Sequence, residues 1–253
     1  MSKPSTPGMA VTRITAEEEG ATSPMWGTAE VLLKTGHNHP NVVANEYIAN
    51  RLAYLYGVPV PVGDVWINPE GQRYWVCGAL RQRGHELPPP SPADLGNISD
   101  QMRARMIVFD TWILNTDRHD GNILCDRRGN AWLIDHDRTL FDDADTERGD
   151  RLHLARERRP GYSVLVEDAP PPQDVLRQAG DKLRFTVSEL AIEGVVRQAR
   201  AAGLINAQEG DDLQVFLQHR RDEVHRLLPD KAGIPSEPGY TSGMLDFEEG
   251  EQG

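Results

Sequence analysis

Apolar residues recur at two different spacings along the chain, and the change between them divides it. In the first third the runs are short. They predict strands over residues 29–34, 64–67 and 73–77, the last two joined by a turn at Asn68-Pro69-Glu70-Gly71. Between the first and second of these, Ile48, Leu52 and Leu55 recur at helical intervals over residues 45–57, and Gly57 offers a C-terminal stop. Val58-Pro59-Val60-Pro61 reads as an extended exit from that helix. A stiff connector at 88–92 follows, and beyond it the spacing turns helical: Met102, Met106, Ile107, Phe109, Ile113 and Leu114 mark a helix over 99–114. Two apolar runs, 123–125 and 131–134, flank the turn-rich residues 126–130 and predict a β-hairpin. Further helices are expected at 182–201 and 211–228. The mixed-charge residues 142–159 are expected to be a solvated loop. The polar first twelve residues are expected to be mobile, and the tail from about 230, rich in Gly, Pro and Glu, disordered.

The polar chemistry is concentrated around the hairpin. Asp110, Asp117, His119, Asp120, Asn122, Asp126, Asp135, His136 and Asp137 all lie between Phe109 and Asp137. A hairpin folds the chain back on itself, so Asp135 at the end of the returning strand comes close to Asn122 at the start of the outgoing one. An amide oxygen and a carboxylate at one point are hard ligands, suited to Mg²⁺ held together with substrate phosphates. A second carboxylate, Asp117, stands five residues before Asn122 on the same loop.

Asp117-x4-Asn122, a hairpin and then Asp135 resembles the catalytic loop and metal aspartate of the protein-kinase-like fold. Asn115-x-Asp117-Arg118-His119-x2-Asn122, preceded by Phe109-Asp110-x-Trp112 and followed by Ile134-Asp135-His136, looks like the HipA-like kinases. The phosphatidylinositol kinases share the Asp-Arg-His-x2-Asn order. Ordinary protein kinases place the His first and follow the metal Asp with Phe-Gly, and this chain does neither. The resemblance spans roughly residues 20–141.

The resemblance implies an α+β, two-lobed protein-kinase-like fold. Its parts would be a flexible terminus at 1–12, a small antiparallel-sheet N-lobe at 13–80, a mainly helical C-lobe at 81–229 and a disordered acidic tail at 230–253. It implies ATP and Mg²⁺ as cofactors and transfer of the γ-phosphoryl group to a hydroxyl, with Ser/Thr of a protein or peptide as the leading acceptor and a small molecule as the alternative. Lys34 would pair with the phosphates and Glu46 would orient it. Asn122 and Asp135 would hold the metal, with Asp137 or Asp120 assisting. Asp117 would align and deprotonate the acceptor. Arg118 would neutralise either a nearby carboxylate or the transferring phosphoryl group, and His119 would contact phosphate or brace the loop. Asp110 would buttress that loop and Trp112 would pack beneath it. The backbone of Gly78, Ala79 and Leu80 would meet the adenine edge. The turn containing Thr22 and Ser23 would cover the phosphates, although an ordinary surface turn fits those residues equally well.

Composition narrows the alternatives. A net charge of −12 over 253 residues argues against general nucleic-acid binding. No apolar run approaches membrane-span length and the N-terminus lacks a signal-peptide core, so a cytoplasmic location and no membrane insertion are expected. His37 and His39 form a His-x-His without a third ligand at suitable spacing, which disfavours zinc. Arg220, Arg221 and Arg226 are expected as exposed helix charges. Two rival functions remain: a metallophosphoesterase, which needs further dispersed histidines, and a pseudokinase that binds nucleotide without transferring phosphate.

Overall fold

A computed structural model of the chain describes residues 11–17, 24–36, 39–80, 88–126, 128–141 and 148–229. The first two strands, β1 (Val11–Glu17) and β2 (Met25–Ala29), pair antiparallel, and the residues expected to form a turn over the phosphates, Thr22 and Ser23, lie outside the described residues. The chain continues into β3 (Val31–Thr35), α1 (Val42–Tyr56), β4 (Gly63–Ile67) and β5 (Arg73–Gly78). These strands form an antiparallel sheet in the order β3-β5-β4, with Lys34 opposite Trp75. The segment expected as one strand at 29–34 is thus divided at Glu30, and β1 already begins at Val11.

Most of α1 is buried, because it lies between the sheet on one side and helices of the second lobe on the other. A helix enclosed in this way needs apolar residues around its circumference rather than along one stripe. Gly57 ends α1 at φ 78°, a left-handed conformation that glycine adopts without a Cβ penalty, and its N–H closes on the Ala53 carbonyl.

The second lobe opens with α2 (Pro92–Gly96), started by a reciprocal cap between Ser91 and Asp94, and α3 (Asp100–Ile113), capped by Ser99. Then come β6 (Asp117–Arg118), a single 3₁₀ turn over Asp120–Asn122, and the hairpin β7 (Ile123–Cys125) with β8 (Ala131–Leu133). After α4 (Arg148–Ala155), the short β9 (Tyr162–Ser163) pairs parallel to β6. The chain ends in α5 (Val164–Glu167), α6 (Gln173–Thr186), α7 (Glu189–Ala201), α8 (Ala207–Asp222) and α9 (Val224–Leu227). Among the described residues no helix is long and apolar enough to cross a membrane.

Three expectations are corrected here. The helix foreseen at 182–201 is two, because Val187 is extended and Ser188 caps a new start by accepting from the Ala191 N–H. Residues 148–155 are helical rather than a loop, held by the buried Leu152 and Ala155. Arg220 and Arg221 are buried rather than exposed, whereas Arg226 is exposed as expected. The Arg220 guanidinium donates to the carbonyls of Thr111 and Trp112 at the end of α3, and to those of Ala155, Arg156 and Arg158 at and beyond the end of α4. A cation suits the negative ends of two helices, and five carbonyl acceptors compensate its loss of water.

Candidate active site

Three hydrogen bonds gather the loop and the hairpin. The Thr116 N–H donates to the Arg138 carbonyl, the Asn122 side-chain amide to the Asp117 carbonyl at 2.9 Å, and the Ile134 N–H to the Asn122 carbonyl. Asp117, Asn122 and Asp135 therefore sit on adjoining segments. Asp117 is exposed, Asn122 is buried and Asp135 is partly exposed. Because the Asn122 nitrogen is engaged with Asp117, its side-chain oxygen is the atom that can serve as a ligand. Asp135 adopts φ 58°, an uncommon conformation for a residue with a side chain.

The loop itself is fixed from below. Asp110, 2% exposed, accepts both Nε and Nη2 of Arg118 and the Asn115 amide, while Asn115 Oδ1 receives the Asp117 N–H. Arg118 Nη1 reaches across to the carbonyls of Asn122 and Ile134. Trp112 is fully buried beneath and donates to the Leu217 carbonyl. Of the two roles expected for Arg118, neutralising a carboxylate is the one it performs. It has no exposed surface, and contact with a transferring phosphoryl group is corrected on that ground. His119 is half-exposed, its Nδ1 3.8 Å from Asp120 Oδ1. Its ring packs against Gly121, where a Cβ would come within 2.9 Å of a ring carbon and would push the half-exposed imidazole aside.

Lys34 enters from the sheet. Its Nζ lies 2.5 Å from Glu46 Oε1 and 2.7 Å from Asp135 Oδ1, joining strand, helix and hairpin at one point. Burial lowers the lysine pKa, but the two carboxylates outweigh it and hold the amine firmly protonated. Burial likewise raises Glu46, and His136 and Lys34 more than offset this, keeping the carboxyl below its ordinary range. Asp135 is also held low, burial being outweighed mainly by Lys34, whereas burial and the adjacent Asp135 push Asp137 up.

These groups stand at one edge of a cleft of about 240 Å³ between the sheet and the β7–β8 hairpin, with apolar walls from Leu32, Val60, Leu124 and Leu133. Gly78 and Leu80 also line it. Ala79 does not: it is buried, and its N–H donates to the Glu30 carbonyl, so its expected place at an adenine edge is corrected. Along an extended chain, alternate residues turn to opposite sides, which accounts for the choice of 78 and 80 over 79. Sequence reading assigned no role to Asn45 or His136. The Asn45 side chain ties α1 to the Asp137 carbonyl and the Phe141 N–H, and an Asn directly before the helix glutamate was its only available signal.

Among the described residues no three His, Cys, Asp or Glu side chains form a group able to hold a metal. A two-metal phosphoesterase needs such a set. A site with one amide oxygen and one or two carboxylates fits Mg²⁺, which keeps waters and shares phosphate oxygens.

A lysine-bearing antiparallel sheet, a glutamate helix behind it and a loop-and-hairpin unit below define the protein-kinase-like fold, the fold implied by the motif resemblance. Among solved structures the chain is similar to the Helicobacter pylori proinflammatory kinase CtkA, with a TM-score of 0.57 and 14% identity over 78% of this chain and 87% of that one. It is also similar to HipA of Shewanella oneidensis MR-1, solved with HipB and operator DNA, with a TM-score of 0.49 and 12% identity over 88% of this chain and 66% of that one. No protein-family model and no curated protein sequence matches.

Proposed function

We propose that the chain is an ATP- and Mg²⁺-dependent phosphotransferase acting on a hydroxyl, with Ser/Thr of a protein or peptide as the leading acceptor. The observation that carries this reading is Lys34, held between Glu46 and Asp135 at the polar edge of an otherwise apolar cleft. The apolar walls suit a base, with Gly78 and Leu80 alongside it, and the lysine suits the phosphates. Asn122 and Asp135 would hold Mg²⁺, with Asp137 beside them. The ion supplies charge neutralisation for the transferring phosphoryl group.

Asp117 aligns the acceptor hydroxyl and receives its proton. The hydroxyl oxygen bonds to the γ-phosphorus, the bond from that phosphorus to the β,γ-bridging oxygen breaks, and the electron pair leaves with ADP. His119, half-exposed beside Asp117, contacts the acceptor or phosphate side of this site. Arg118 acts through the loop it fixes.

Supplying γ-labelled ATP to the purified protein with a cell extract tests the reading. Label is expected on a hydroxyl-bearing acceptor with the natural protein. Asp117→Asn is expected to bind Mg²⁺-ATP normally and transfer nothing, whereas Asn122→Ala and Asp135→Ala are expected to weaken Mg²⁺-dependent nucleotide binding. Unchanged transfer by Asp117→Asn rules out its role. Nucleotide binding with no transfer to any acceptor identifies a pseudokinase instead.

A further inference from the structure

The residue after Asp135 has no task in the scheme above, and ordinary protein kinases carry an apolar ring there. In this chain it is His136, 2% exposed. Its imidazole meets Phe109 edge-on, with ring centroids 5.9 Å apart and planes at 80°. Its carbonyl accepts from the Thr139 hydroxyl at 2.8 Å, which fixes the backbone below the ring. Nδ1 faces Glu46 Oε2 at 3.6 Å, longer than a hydrogen bond but within range of a direct electrostatic contact. Nε2 has no hydrogen-bond partner among the described residues. A proton on Nδ1 gives the ring an N–H directed at Glu46.

The Glu46 carboxylate is therefore approached from two sides: Oε1 by Lys34 and Oε2 by His136. A glutamate side chain has three torsions, and contact at one oxygen leaves the carboxylate free to rotate about its last bond. Contact at both oxygens fixes its plane. We propose that His136 is a positioning residue, which fixes the Glu46 carboxylate so that Lys34 Nζ stays directed into the cleft. A phenyl ring at 136 would keep the packing on Phe109 but offer Glu46 no donor from that side. The geometric claim stands on its own, and its consequence for turnover rests on the kinase reading.

Two substitutions separate ring from donor. His136→Phe keeps the ring and removes the N–H, while His136→Asn places an amide N–H near the Nδ1 position and removes the ring. In the nucleotide-free protein, reductive methylation of Lys34 read by mass spectrometry is expected to be severalfold faster in His136→Phe and close to the natural rate in His136→Asn. Calorimetric titration with Mg²⁺ and a non-hydrolysable ATP analogue is expected to show roughly tenfold weaker binding for His136→Phe and near-natural binding for His136→Asn. Thermal unfolding is expected to rank them the other way, with the asparagine variant, which loses packing, less stable. Natural labelling and binding in His136→Phe overturn the proposal, as do losses in both variants that follow their melting temperatures. If the natural protein binds no Mg²⁺-nucleotide, the kinase reading fails, and the labelling comparison alone decides the role of His136.

Discussion

An arginine without solvent contact persists only where protein groups replace its water. Arg118 meets that requirement with both oxygens of Asp110 and the carbonyls of Asn122 and Ile134. Loss of the guanidinium would leave Asp110 as an uncompensated buried charge and would detach the loop from the hairpin. Arg118→Ala is accordingly expected to lose about 3–5 kcal/mol of stability, measured by urea unfolding. A loss under about 1 kcal/mol would mean that the pair behaves like an exposed one. Residue type alone did not reveal this burial, nor that of Arg220. Their acceptors come from α3, α4 and the hairpin, and an arginine read from local sequence is ordinarily exposed.

At the scale of elements, the Asn45 side chain acts much as a strand edge would. Its amide donates to the Asp137 carbonyl at 2.8 Å, and its oxygen accepts from the Phe141 N–H at 3.2 Å. Asn41 at the start of the same helix donates to the Phe141 carbonyl. The helix carrying Glu46 and the segment following Asp135 are thereby held in one register. Asn45→Ala leaves a buried N–H and a carbonyl without these partners, and about 1–3 kcal/mol of stability is expected to be lost. Weaker Mg²⁺-nucleotide binding is expected with it. A variant as stable as the natural protein, with unchanged binding, would contradict the register role. Most elements near the site were legible in the sequence, because β3, α1, β4, β5, α3 and the hairpin each combine an apolar period with a turn or stop residue. Legibility was poorer for β1, whose alternation is weak, and for the break between α6 and α7, where apolar spacing continues across Val187. Asn122 and Asp135 could be brought together on paper because a hairpin fixes the return of its own chain. Lys34 was assigned to the site only through the family resemblance, and its direct contact with Asp135, 101 residues away, was not foreseen.

At the scale of the molecule, the buried apolar residues form one connected core running from Val43 in α1 to Leu228 beyond α9. The two lobes also share polar ties: the Tyr56 hydroxyl donates to the Ala179 carbonyl at 2.7 Å, and the Leu133 N–H to the Pro59 carbonyl. Unfolding is expected as one cooperative transition, with coincident urea curves from tryptophan fluorescence and far-ultraviolet circular dichroism. Two separated transitions would show that the lobes melt independently. The shared framework also bears on how the cleft fills. With the ammonium of residue 34 against the carboxylate of residue 135, the resting cleft is its own counter-ion. A divalent cation arriving alone competes with a charge already in place, whereas one arriving with a polyphosphate finds the ammonium drawn to a new anion and the aspartate released. On the kinase reading proposed above, filling is then an exchange of partners, and each guest prepares the seat of the other.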